Sequence, residues 1–252
     1  VNALFSVKGK VALVTGGTSG IGHMIAKGLV ENGARTYIVG RSADTCATVA
    51  KEFSTLGECL PLPGDLSTMA GVDAVIAALS AKEKVLDILV NNAGAMYDAP
   101  LDEFTEEGWD SIVDLNLKSV FFLSQKALPL LRAAVKINEL ASVINIGSVG
   151  GQRVGPKENY SYQAAKAGLH HLTGSLAKRL GPENIVVNAI APGFFESRLT
   201  SSRDMSPAVL QMVPRRRMGN ADDIVAAVLY LGSRAGSFVA GAVIPVSGGM
   251  TL

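Results

Sequence analysis

Tyr162 and Lys166 stand four residues apart in a stretch with helical spacing, so their side chains share one helix face. An ammonium beside a phenol favours phenolate, and a phenol of reference pKa about 10 exchanges protons well near neutrality only with such help. The pair suits carbonyl reduction, which needs a hydride donor, a group that polarises the oxygen and an acid for the developing alkoxide. Ser148, at the end of the apolar run 143–147, offers a hydroxyl to the same oxygen. Taken singly, the pair also describes an ordinary helix-surface contact and Ser148 a turn serine. Tyr160 is a decoy, with Ala164 rather than a lysine four residues after it. Asn116, inside Asp114-Leu115-Asn116-Leu117, reads by itself as a satisfied buried amide.

Such groups need a rigid frame. Short β-branched runs at residues 11–15, 36–39, 88–91, 142–146, 185–190 and 242–246 read as buried strands. Between most of them lie stretches of helical spacing at 21–32, 72–81, 109–131, 162–180 and 221–231. Alternation of this kind predicts an α/β fold, a single-domain, doubly wound parallel sheet of Rossmann type over residues 1–252. The irregular region at about 194–218, which holds Met205 and Met212, reads as a mobile flap over the substrate.

The first strand runs into Thr15-Gly16-Gly17-Thr18-Ser19-Gly20-Ile21-Gly22 and then a helix. That turn lets backbone approach a pyrophosphate, whose charge the free N–H groups of the helix start attract. The second strand ends Val39-Gly40-Arg41-Ser42, with no carboxylate before Asp44 to hold a free ribose. Arg41 can pair with a phosphate and Ser42 add a hydroxyl, so the cofactor expected is NADP(H).

The spacing of Gly16, Gly20 and Gly22 resembles the short-chain dehydrogenase/reductase family, and the resemblance extends along nearly the whole chain. Asp65-Leu66 matches the family's pair beside the adenine, and Asn91-Asn92-Ala93-Gly94 the segment closing the central strand near the ribose. Pro192-Gly193 matches the turn that meets the nicotinamide, and Val246-Ser247-Gly248-Gly249 the last strand and turn. The resemblance implies a nicotinamide-dependent oxidoreductase in which Asn116, Ser148, Tyr162 and Lys166 fill the four catalytic places, Asn116 holding a water in a proton relay. It also implies that Tyr162 and Lys166 touch the cofactor. After Pro192-Gly193 the family usually has an aliphatic residue and then a threonine; Phe195 and Ser197 occupy those places. With Asn145-Ile146-Gly147-Ser148 and Val243-Ile244-Pro245-Val246, the chain is similar to 3-oxoacyl reductases of the rhamnolipid-pathway kind.

The substrate would meet residues 95–104, 149–156 and the flap, which present Met96, Tyr97, Val149, Phe194 and Met205. An apolar carbonyl, first a β-ketoacyl thioester or ketoester, fits that lining better than a sugar phosphate. The rivals are a non-catalytic NADP(H)-sensing protein and a reductase of sugars or polyols. A net charge of +1 gives no reason to expect nucleic acid or an anionic membrane, and Arg215-Arg216-Arg217 reads as a solvated loop. Cys46 and Cys59 read as reduced thiols, and the chain as cytoplasmic. His23, His170 and His171 lack ligand or triad spacing and read as plain helix residues, and Trp109 as a packing residue. The resemblance implies a homo-oligomer, with a tetramer favoured.

Overall fold

Successive residues of a strand point to opposite faces, and β1 (Val11–Thr15) puts Leu13 into one apolar cluster and Ala12 and Val14 into another. A strand buried on both faces has to be covered by helices on both sides. The computed structural model, which describes residues 3–196 and 210–252, shows that arrangement. The remaining strands are β2 (Arg35–Gly40), β3 (Cys59–Pro63), β4 (Ile88–Asn91), β5 (Ala141–Ile146), β6 (Ile185–Pro192) and β7 (Val243–Val246). They form one parallel sheet in the order β3-β2-β1-β4-β5-β6-β7.

Helices α1 (Gly20–Glu31), α2 (Ala43–Phe53) and α7 (Ala221–Gly232) cover one face, with Ile25, Leu29, Val49, Phe53, Ile224 and Val228 in its core. Helices α3 (Met69–Lys82), α5 (Ser119–Asn138) and α6 (Tyr160–Leu180) cover the other, through Val75, Leu79, Leu123, Leu131, Ala177 and Leu180. The strand order reverses between β1 and β4, and the crevice beyond their carboxyl ends is where a sheet of this kind binds its ligand.

Two elements differ from the sequence reading. Strand β3 was not expected, because Pro61 and Pro63 remove ladder donors. It pairs only with β2 at the sheet edge, where a missing donor on the outer side breaks nothing. The helix expected at 109–131 is instead α4 (Glu106–Val113), a π-helical turn at Asp114–Lys118 and α5, one continuous rod with a register slip. Hydrophobic spacing cannot show one inserted residue, and π turns of this sort recur at functional sites.

Residues 197–209 of the expected flap, with Ser197 and Met205, lie outside the described residues. The flanks are tied to the body: Gly219 N–H donates to Phe194 O at 2.8 Å and Arg215 N–H to Gly248 O at 3.1 Å. Among the described residues no helix is long and apolar enough to cross a membrane, and no cluster of His, Cys, Asp or Glu could hold a metal.

Candidate active site

At the carboxyl end of β1 the chain turns through Gly16 (φ +65°) and Gly20 (φ +55°), a conformation that costs glycine little. A Cβ on Gly22 would stand 2.3 Å from both Gly16 O and Asn92 Nδ2, so only hydrogen lets the helix start so close to the strand end. Side chains cap α2, α3, α4 and α7, but the N-cap of α1, Ser19, makes no such bond, and no acid sits in its first turn. An uncapped helix start behind a glycine turn attracts an anion, and Thr18, Ser19, Gly20 and Ile21 present it. Thr15 braces the opposite wall, its Oγ1 accepting the N–H groups of Asn92 at 2.8 Å and Ala93 at 2.9 Å. Sequence reasoning gave Thr15 no such task, because strand residues normally spend their hydroxyls locally.

At the end of β2, Arg41 is exposed and takes part in none of the ion pairs among the described residues. The Asp65 carboxyl lies below its ordinary value, chiefly through hydrogen bonds from Ser67, with Arg41 adding attraction. Ser42 caps α2, its Oγ accepting from Thr45 N–H at 3.2 Å, and its own hydroxyl hydrogen remains free to donate. Leu66 is buried beside Asp65, and Gly94 is exposed at the crevice. These residues therefore fit a dinucleotide along the β1–β4 crevice, with a phosphate near Arg41.

The reacting groups gather one strand over. Ser148 follows β5, and its Oγ accepts Gly150 N–H at 3.0 Å, closing a 3-10 turn at Val149–Gly151. Tyr162 comes towards it from the first turn of α6, close enough for Ser148 to act on its hydroxyl. Lys166, 4% exposed, lies one turn on, its Nζ 5.8 Å from the centre of the Tyr162 ring and donating to Ile146 O at 2.7 Å. Desolvation lowers the lysine to about 8.

A depressed phenol is expected of Lys166 acting together with the positive nicotinamide ring; in the protein alone the direction is the opposite. Burial raises Tyr162 above its ordinary value, against a smaller opposing effect of the Ser148 hydrogen bond. The ammonium is spent on a backbone carbonyl, and a dry site favours the neutral form of both groups. A protonated phenol is nonetheless the form that carbonyl reduction requires. The decoy Tyr160 is turned away, its hydroxyl donating to Glu158 at 2.6 Å on the exposed side of the helix.

Asn116 sits in the π turn, wholly buried, its Nδ2 donating to Ala95 O at 3.0 Å and Ile112 O at 2.9 Å. Its Oδ1 has no hydrogen-bond partner among the described residues and faces Gly94, where a Cβ would stand 2.6 Å away. The reading of a satisfied amide therefore holds for only half of the group.

Pro192 and Gly193 end β6 at the same rim. The Phe195 side chain does not face the cofactor crevice as a ligand: it is 3% exposed, packed in the core beneath α1 and α7 and against Gly219. Only its backbone remains to meet a nicotinamide, because a large apolar ring next to a core cluster gains more by burial. On the substrate side Met96, Val149 and Phe194 are each partly exposed. Asn159 Nδ2 contacts Met96 Sδ at 3.4 Å, while Leu101 N–H donates to Glu158 at 2.9 Å, so the 95–104 loop is laced to the start of α6.

A family model described as enoyl-(acyl carrier protein) reductase matches residues 16–251. The rhamnolipids biosynthesis 3-oxoacyl-(acyl-carrier-protein) reductase of Pseudomonas aeruginosa is 44% identical, over 98% of this chain and 98% of that protein. The chain belongs to the short-chain dehydrogenase/reductase family. Within that family it is also similar to the Escherichia coli 3-oxoacyl-(acyl-carrier-protein) reductase FabG, 36% identical over 96% of this chain and 98% of that one. Its fold superposes on the Pseudomonas aeruginosa RhlG/NADP active-site complex with a TM-score of 0.94, at 43% identity and 99% coverage of both chains. A 3-ketoacyl-(acyl-carrier-protein) reductase from Brucella melitensis complexed with NADH gives 0.89 at 31% identity, over 98% of this chain and 100% of that one.

Proposed function

We propose that this short-chain dehydrogenase/reductase is an NADP(H)-dependent reductase of β-ketoacyl thioesters or related apolar ketones. The observation that carries the reading is the convergence of Ser148, Tyr162 and Lys166 at the end of β5, beside the glycine turn of β1. When bound, the cofactor supplies a hydride. The protein does the rest: Ser148 and Tyr162 donate hydrogen bonds to the carbonyl oxygen, and the Tyr162 hydroxyl passes its proton to the alkoxide as charge develops. Lys166, its Nζ 5.8 Å from the centre of the Tyr162 ring, would balance charge at the phenol and hold the cofactor ribose. Asn116, with an unpaired buried oxygen that costs about 1–3 kcal/mol, offers an acceptor for a water that refills the proton.

The Pseudomonas relative that carries NADP supports the cofactor assignment, and the absence of an acid between Gly40 and Asp44 agrees with it. Replacing Arg41 by Ala is expected to raise the KM for NADPH about tenfold or more and leave that for NADH nearly unchanged. Equal KM values for NADPH before and after the change would remove Arg41 from the phosphate site.

A second substrate class is supported by relatives such as a Gluconobacter oxydans gluconate 5-dehydrogenase, 34% identical over 99% of this chain. Rates with NADPH on acetoacetyl thioesters, β-ketoesters, aryl ketones and sugars decide between the two. Turnover confined to sugars or polyols discards the acyl reading, and cofactor binding without any turnover leaves a sensor.

Apolar side chains along the outer faces of α5 and α6, among them Phe121, Phe122, Leu128, Leu172 and Leu176, support assembly into a homotetramer. Light scattering is expected to return four times the mass of one chain, and a monomer mass would refute the assembly. A cytoplasmic setting agrees with two free cysteines, Cys46 and Cys59.

A further inference from the structure

Helix α6 meets the end of β5 with three side chains at successive turns. Tyr162 reaches the Ser148 side chain and Lys166 the Ile146 carbonyl. The third is His170, four residues beyond Lys166 and on the same face. Its Nε2 accepts the Ser148 backbone N–H at 3.4 Å. The ring lies between two glycines: a Cβ on Gly147 would stand 2.1 Å from Nε2, and one on Gly151 2.8 Å from Cε1. The 3-10 turn that carries Ser148 is therefore folded around this imidazole.

We propose that His170 is a positioning residue for Ser148: as an Nδ1–H tautomer, it accepts the serine N–H through Nε2 and so sets where the hydroxyl meets the substrate oxygen. The inference rests on the site being that of a ketone reductase. A lone donor–acceptor bond is worth about fivefold, but a misplacement of about 1 Å at a reacting centre can cost a hundredfold. Burial and the neighbouring Lys166 cation both hold the imidazole below its ordinary value, against a smaller opposing effect of the Gly151 backbone, and so keep Nε2 free to accept near neutral pH. A proton on Nε2 would set N–H against N–H.

The test compares His170→Leu with His170→Gln, whose amide oxygen can take the place of Nε2. The leucine variant is expected to lose about 10- to 100-fold in kcat, with KM for the ketone and NADPH binding changed less than about threefold. The glutamine variant is expected to recover to within about fivefold of the wild type. Wild-type kcat in the leucine variant, or a glutamine variant no faster than it, overturns the proposal. Nitrogen-15 NMR of the wild-type protein gives a readout independent of turnover and of whether the leucine variant folds. An Nδ1–H ring at neutral pH is expected, and an Nε2–H ring rules the role out. A wild-type protein that reduces no ketone would instead defeat the reading of the site, while the NMR result still decides the ring.

Discussion

Replacing Tyr162 by Phe is expected to lower kcat for ketone reduction about a thousandfold, some 4 kcal/mol of transition-state stabilisation, and to leave NADPH affinity near the wild-type value. The ring keeps its place between Ser148 and Lys166, so only the hydroxyl is lost. That hydroxyl stands beside Ser148, and burial favours its protonated form. KM should change little, because most of the loss arises in the transition state. Fluorescence titration of NADPH with a rapid-mixing rate measurement separates the two effects. A variant within about tenfold of the wild type would mean that another group delivers the proton.

Lys166→Met is expected to lower kcat about a hundredfold and yet to raise the stability of the cofactor-free protein. The lysine is nearly wholly buried, satisfied by one backbone carbonyl and lowered by desolvation to about 8. The ordinary value of a lysine is 10.5, so between about 8 and 10.5 the unfolded chain binds a proton that the folded one has released. Stability conferred by the wild-type residue therefore rises with pH across that window, and below it the burial penalty, of order 3 kcal/mol, is felt in full. The variant lacks this dependence. Its advantage in Tm should be largest at pH 7 and shrink as pH rises from 8 towards 10, which scanning calorimetry at a series of pH values would show. An advantage that grows with pH would mean that the ammonium is stabilised where it lies.

Much of this is legible in the sequence. Periodicity and glycine placement located β1, β2, β4, β5, β6 and β7, because strands buried on both faces carry continuous apolar runs. The glycine turn and the Tyr162–Lys166 spacing are local, so one stretch of chain holds the information. What escaped was set by contacts across the fold. Strand β3 is stabilised by pairing that outweighs its two prolines, and the π turn at Asn116 by the packing of α6 and the 95–104 loop. His170 and Ser148 are 22 residues apart, and nothing in their spacing says that strand and helix bring them together. The Lys166–Ile146 bond escaped too, because a helical register fixes which face a lysine shares, not which acceptor its ammonium finds.

The most direct test of the central claim follows the hydrogen itself. NADPH carrying deuterium at either C4 position is supplied in turn with acetoacetyl thioester, and the hydroxyacyl product is weighed by mass spectrometry. Transfer of one deuterium from one of the two labelled cofactors, abolished in Tyr162→Phe, is the predicted result. A hydroxyacyl product with no deuterium from either cofactor, or no product from a protein that binds NADPH, would contradict the account.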